Sequence, residues 1–244
     1  YQNTGNFNSA KDIFVKGINM DQDNIAIMNN LANVYKNIGE IELSEDLFQK
    51  IIEKKPKYIN AYINLGNLKK DNNDFNSAIN LYRKALQINN QLPVTLYSLA
   101  LAYQGIGKFE LAIEYAKKTL LINPKFTQAD ILISQSTKYK IGNDHFKEMN
   151  LKINNLDLND AQKVNLLFAI AKANEDMGLI EESFKNLDLG NKIQRKSFNF
   201  NLNEDIKFFN ELKKIFSQIN INNEAKKNLN HKNIIFILGM PRSG

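Results

Sequence analysis

The sequence predicts an all-α fold, a solenoid of stacked helix-turn-helix units, closed by a short segment that opens an α/β fold. Internal repetition carries the first half of that statement. Leu31, Leu65 and Leu99 recur every 34 residues, and the same step links Ala10, Ser44, Ala78 and Ala112. Aromatic side chains follow it at Phe14, Phe48 and Tyr82, and twice the step separates Tyr35 from Tyr103, Gly39 from Gly107 and Pro56 from Pro124. A fixed period of this length, with small residues where two helices must cross, marks units that bury their apolar faces only by stacking. The second half rests on the last twelve residues, where the apolar run Ile234-Ile-Phe-Ile-Leu238 breaks into Gly239-Met-Pro-Arg-Ser-Gly244, as a buried strand does when it hands over to an anion-binding turn.

Taken in order, residues 1–24 read as the second helix of a truncated unit. Residues 25–58 supply a first helix from Ile25 to Ile38, a turn at Gly39-Glu40, and a second helix from Ile41 to Lys54, ended near Pro56 because proline cannot continue the hydrogen-bond ladder. Residues 59–92 and 93–126 repeat the plan. Each first helix carries a leucine followed by a small residue (Leu31-Ala32, Leu65-Gly66, Leu99-Ala100). On these residues the chain resembles the tetratricopeptide repeat (TPR) family, and the resemblance implies a right-handed superhelix devoted to protein recognition. The match weakens over 127–163, where Ser134 and Thr137 occupy expected core positions and Gly142-Asn143-Asp144 breaks the pattern. This stretch reads as a divergent, lengthened repeat with a poorly ordered stretch near Asn154 to Asn159. The pattern returns at 164–197, shifted by three residues, through Ile170-Ala171, Gly178, Ser183 and Leu187.

Residues 198–219 leave the period. Ile206, Phe209, Leu212, Ile215, Phe216 and Ile219 fall at helical spacing, the pattern of a capping helix with one apolar stripe. Residues 220–232, rich in Asn and Lys, read as a linker. Residues 233–244 then form the first strand and a partial phosphate-binding loop.

Composition removes several classes of function. The 244 residues contain no cysteine, which excludes disulfides, thiolate metal sites and cysteine nucleophiles, and only His145 and His231 offer imidazole chemistry. No metal site is expected. The formal net charge of +6 is spread among Asn and Ile, so it reads as a solvated, compositionally biased surface and not as a nucleic-acid stripe. No apolar run approaches the roughly 18 residues of a membrane helix. The expected compartment is the cytoplasm, with no membrane or nucleic-acid partner.

The face lined by first helices is the expected peptide groove. Asn29, Asn30, Asn33, Lys36 and Asn37 lie on it in one repeat, Asn60, Asn64, Asn67 and Lys70 in the next, and Tyr97, Leu101 and Gln104 continue it. Carboxamides donate and accept, so a ladder of them can pair with the backbone of an extended peptide without reading its sequence. The arrangement resembles the asparagine ladder in the repeats of the O-linked N-acetylglucosamine transferases. Self-association is the other role open to such an array.

The terminal loop has two relatives. Gly239 and Gly244 are spaced as in the first half of a nucleotide P-loop, whose Lys-Ser/Thr would follow at the next two positions. Pro241-Arg242-Ser243-Gly244 more closely resembles the 5′-phosphosulfate-binding loop of sulfotransferases, and repeats followed by a helical spacer and this loop resemble bacterial proteins with a repeat array before a sulfotransferase domain. That resemblance implies 3′-phosphoadenosine-5′-phosphosulfate (PAPS) as cofactor of the parent protein and transfer of a sulfuryl group to a protein or glycan hydroxyl. It places Gly239, Pro241, Arg242, Ser243 and Gly244 in the cofactor-binding loop, with Arg242 stabilising charge in the transition state. The acceptor-activating base lies downstream in the family, so the stretch in hand reads as a non-catalytic fragment. The alternatives are a stand-alone TPR interaction scaffold and a TPR array fused to a P-loop kinase or NTPase.

Overall fold

The computed structural model describes residues 7–196 and 202–218. Among them are twelve helices, and the described residues contain no strand. They run α1 (Phe7–Met20), α2 (Ile25–Asn37), α3 (Ile41–Lys54), α4 (Ile59–Asp71), α5 (Phe75–Ile88), α6 (Pro93–Gly105), α7 (Phe109–Ile122), α8 (Thr127–Ser136), α9 (Asp144–Asn155), α10 (Asp160–Asp176), α11 (Ile180–Lys196) and α12 (Leu202–Gln218). The chain divides into two compact units, residues 1–197 and 198–244. The first holds α1 to α11, stacked as successive helix pairs. The second contains α12, on which Ile206, Phe209 and Ile215 are about half exposed. The strand and loop expected at 233–244 and the linker at 220–232 lie outside the described residues.

Sequence chemistry sets the helix ends. The Asn24 side chain accepts the Ile27 N–H at the start of α2, Asp74 does the same for Ser77 in α5, and Asn143 for Phe146 in α9. Each satisfies a donor that has no partner inside its helix. Within four helix pairs the turn is one device: the residue after the C-cap adopts a left-handed conformation and the next amide reaches back to the last turn, a Schellman motif. Gly39, Asn73, Gly107 and Gly178 hold the positive φ, and Glu40, Asp74, Lys108 and Leu179 donate to the carbonyls of Tyr35, Lys69, Tyr103 and Asn174 at 2.8–2.9 Å. Asn73, at φ 62°, is the one non-glycine among them, in keeping with the tolerance of Asn for that region.

Small residues meet rings at the helix crossings. A Cβ built on Gly66 of α4 would lie 2.7 Å from the Tyr82 ring of α5, so the backbone approaches the aromatic face as only glycine allows. Gly190 of α11 meets Phe168 of α10 in the same way, at 2.6 Å. Ala32, Ala100, Ala78 and Ala112 are all buried, as are Leu31, Leu65 and Leu99.

The repeat at 127–163 is built differently. Its first helix α8 has 10 residues against 13 in α2, α4 and α6, and ends at Thr137 in extended conformation (φ −120°, ψ 137°). The chain then runs through Tyr139, 1% exposed, before Gly142 turns it at φ 91° into α9. Ser134 is buried and donates its hydroxyl to the Ile131 carbonyl, so this polar residue at a core position satisfies itself within the helix. The expectation of a poorly ordered stretch near Asn154 to Asn159 is corrected: α9 continues to Asn155, Leu158 is buried in the core, and Asn159 forms a capping box with Gln162 that starts α10. Anchoring one apolar side chain and satisfying two terminal amides gives this connection a defined path.

Candidate functional site

The first helices of successive repeats are tied to one another by polar rungs. The Asn64 amide donates to the Asn29 side-chain carbonyl at 3.0 Å, joining α4 to α2, and Lys36 pairs with Asp71 at 2.6 Å across the same two helices. Further along, the Gln104 amide donates to Ser136 at 3.2 Å, joining α6 to α8, and the Asn165 amide donates to Thr127 at 3.1 Å, joining α10 to α8. Hydrogen bonds between neighbouring elements fix their spacing, and each rung engages groups that would otherwise face solvent.

The twelve residues expected to line the groove therefore divide. Asn29, Asn64, Lys36 and Gln104 spend part of their capacity on the rungs, Asn33 donates to the Asn29 backbone carbonyl, and Asn67 accepts the Tyr82 hydroxyl at 2.7 Å. A carboxamide has two donor hydrogens and two acceptor lone pairs, so a single bond leaves most of each amide available. Asn30, Asn37 and Asn60 are exposed. Lys70 lies 3.4 Å from the Asp71 carboxylate already held by Lys36. Burial by itself would raise the Asp71 pKa, but Lys36 and then Lys70 outweigh it and hold the carboxyl below its ordinary value. Tyr97 and Leu101 are half-buried, the Tyr97 ring tilts against Phe126 at 5.0 Å, and burial pushes its phenol pKa up. The face thus offers amides at one end and an apolar, aromatic step at the other.

A second cluster, absent from the sequence-based expectations, fills the divergent repeat. Asp130 of α8 is fully buried, and its Oδ1 accepts from Lys152 Nζ at 2.7 Å and faces His145 Nε2 at 3.1 Å, both on α9. His145 Nδ1 meets the Tyr139 hydroxyl at 2.6 Å. With the imidazole in its Nε2–H form, each bond has one donor and one acceptor: the ring donates to Asp130 and receives the Tyr139 O–H. The next repeat completes the assembly. Asp176 of α10 accepts the Tyr139 backbone N–H at 3.0 Å and pairs with Lys172 and Lys138, while Lys172 also donates to the Thr137 carbonyl at 2.8 Å. Burial would raise the Asp176 pKa, yet Lys172, the Tyr139 N–H and Lys138 together hold it down at about 2. The tyrosine is pushed up by its burial, with Asp130 and Asp176 adding to it. The sequence signal for this cluster is Asp130 inside the apolar run Ala129 to Ile133, with the basic groups one helix later.

Chemically the cluster is structural. Tyr139 is 1% and His145 7% exposed, so no substrate reaches either. Among the described residues no group of three or more His, Cys, Asp or Glu is placed to hold a metal ion, and no helix is long and apolar enough to cross a membrane. Gly239, Pro241, Arg242, Ser243 and Gly244, expected to bind PAPS, lie outside the described residues.

Comparison with known proteins agrees with this geometry. Family models of the tetratricopeptide repeat match residues 25–55, 66–107 and 94–126, and the chain carries TPR repeats. Similar solved structures include PilF of Pseudomonas aeruginosa, at 18% identity and TM-score 0.59, covering 86% of this chain and 92% of that one. YrrB, a TPR protein with an unusual peptide-binding site, aligns at 18% identity and TM-score 0.56 over 75% of this chain and 93% of its own. MamA follows at 21% identity and TM-score 0.50, over 82% and 95%. No curated protein matches the sequence.

Proposed function

We propose that the array is a protein-recognition scaffold whose first-helix face, from α2 through α6, holds an extended peptide. One observation supports this above the others: the rungs from Asn64 to Asn29 and from Lys36 to Asp71 set neighbouring helices at fixed spacing while amide capacity remains on the same surface. A rigid, preorganised row of donors and acceptors loses little entropy on binding, and it recognises main chain in preference to particular side chains. Tyr97 and Leu101 add an apolar contact that favours a large side chain at one ligand position. YrrB, with the same fold and a peptide-binding site, is a precedent for this use. Panning a random peptide library against the protein tests the reading. Selected peptides lose at least tenfold in affinity to a Leu101→Arg variant that blocks the face; peptides that bind both proteins equally would refute it.

The finer reading is that the array serves as the recognition arm of a PAPS-dependent sulfotransferase. Its support is the sequence at 233–244, where a strand-like apolar run leads into Pro241-Arg242-Ser243-Gly244. Main-chain amides around Ser243 and Gly244 would take the 5′-phosphate and Arg242 the charge that builds on the bridging oxygen. Calorimetry of the extended protein with 3′-phosphoadenosine-5′-phosphate, before and after Arg242→Ala, decides the matter. Heat that the variant loses supports the sulfotransferase; no heat from either leaves the stand-alone scaffold.

A further inference from the structure

One concavity of the array lies away from the first-helix face. A cavity of about 750 Å³ lies between the second helices α5 and α7, lined by Arg83, Leu86, Gln87, Tyr115, Lys118 and Leu121 among others. This volume is within the range of sites that enclose several side chains of a ligand. Leu121 is 83% exposed at its edge, beside the half-buried Leu86 and Tyr115, so the groove presents apolar surface within a ligand's reach. The same groove position recurs two repeats earlier. Ile18 and Asn19 of α1 stand 68 residues before Leu86 and Gln87, Leu47 and Lys50 of α3 stand 68 before Tyr115 and Lys118, and together they line a smaller cavity of about 250 Å³. The hollow is therefore a product of the repeat register, enlarged at α5 and α7.

Charge decides what fits. Lys118 already pairs with Glu114 at 2.6 Å on the exposed face of α7, so part of its charge has a partner within the helix. Arg83 forms no ion pair with a carboxylate among the described residues; its guanidinium lies over the Tyr103 ring, 5.8 Å from the centroid. That aromatic support orients a planar, five-donor cation at the rim of an apolar floor formed by Leu86, Leu96 and Tyr115, with Leu121 exposed beside it. A carboxylate meets such a fork through two parallel hydrogen bonds.

The geometry points to a second peptide site on this outer groove, taking a partner-protein segment in which an acidic side chain sits among bulky apolar ones. The carboxylate pairs with Arg83, its apolar neighbours cover Leu86 and Leu121, and the Gln87 amide holds the segment's main chain. The site shares none of the twelve residues of the first-helix groove, so the two can be filled at once.

An array of C-terminally blocked pentapeptides tests this, with Asp at the centre and Leu, Ile, Phe or Tyr elsewhere, beside the same array with Lys at the centre. The expected result is binding by the Asp set, at least tenfold weaker binding by the Lys set, and at least tenfold loss in Arg83→Glu and in Leu121→Asp. The Leu101→Arg variant of the other face leaves this binding unchanged, which separates the two sites. Leu121→Asp changes an exposed side chain and keeps the test valid if Arg83→Glu disturbs packing on Tyr103. Equal binding of the two arrays, no binding by either, or loss through Leu101→Arg in place of Leu121→Asp would overturn the proposal.

Discussion

Residues 25–126 and residues 127–163 solve the same stacking problem with different physics. In the regular repeats the helix pairs close on a left-handed turn residue, and small side chains let backbone approach ring, as at Gly66 and Tyr82. In the divergent repeat the first helix ends early, the chain runs extended through Tyr139, and Asp130, His145 and Lys152 occupy ground that apolar side chains hold elsewhere. Apolar contacts are forgiving and roughly additive, whereas a buried ionic cluster fails as a unit when one member is removed. The comparison therefore predicts that the array is most fragile where its sequence departs from the repeat.

The largest effect expected is from Asp130→Ala. It leaves the Lys152 ammonium, 13% exposed, facing His145 with no counter-charge, and should cost about 3–5 kcal/mol in urea unfolding. Hydrogen exchange should rise in α8, α9 and α10 more than in α2 to α5. Uniform acceleration along the array would dissolve the distinction between the regions. Tyr139→Phe is gentler: it keeps the ring and leaves His145 Nδ1 unpartnered, for a loss of about 1–3 kcal/mol.

Within the regular repeats, Gly66→Ala puts a methyl group 2.7 Å from the Tyr82 ring and should cost about 1–3 kcal/mol through forced displacement. Gly107→Ala meets open space but holds φ at 73°, so its cost of about 1–2 kcal/mol comes from the backbone alone. Similar losses for the two would be expected only if conformation and crowding weigh alike; a neutral Gly107→Ala would remove the turn argument. Asp176 adds a pH-dependent contribution, present at neutral pH and lost in acid. The Asp176 pKa is lowered from 3.8 to about 2, so its carboxylate contributes stability that is complete above about pH 4 and is lost as pH falls toward 2. Asp176→Asn should flatten the acid limb of stability over that window, as followed by urea midpoints at each pH.

Much of the architecture was legible because it follows from periodicity. The 34-residue step placed the leucines, the small residues and the turn glycines, and the pattern even held where Asn73 replaces glycine, since Asn tolerates the same backbone. The divergent repeat was legible only as a mismatch. A one-dimensional pattern marks Ser134 and Thr137 as wrong for a core, yet it cannot show that Ser134 satisfies itself on Ile131 or that Asp130 finds His145 and Lys152 across a helix. The Asn154 to Asn159 stretch read as loose from its polarity, whereas the burial of Leu158 and the pairing of Asn159 with Gln162 depend on tertiary contact. The groove residues could be named from the register, but their mutual rungs could not, because Asn29 and Asn64 meet only when two repeats stack. The outer groove has no one-dimensional signature for the same reason: its two walls are one repeat apart.

On the proposal above, the first helices form a peptide-recognition surface. Amide hydrogen exchange of the full chain, with and without a saturating library-selected peptide, tests it most directly. Protection concentrated in α2, α4 and α6, and abolished by Leu101→Arg, is the predicted result. Protection confined to α5 and α7, or none in any first helix, would contradict it.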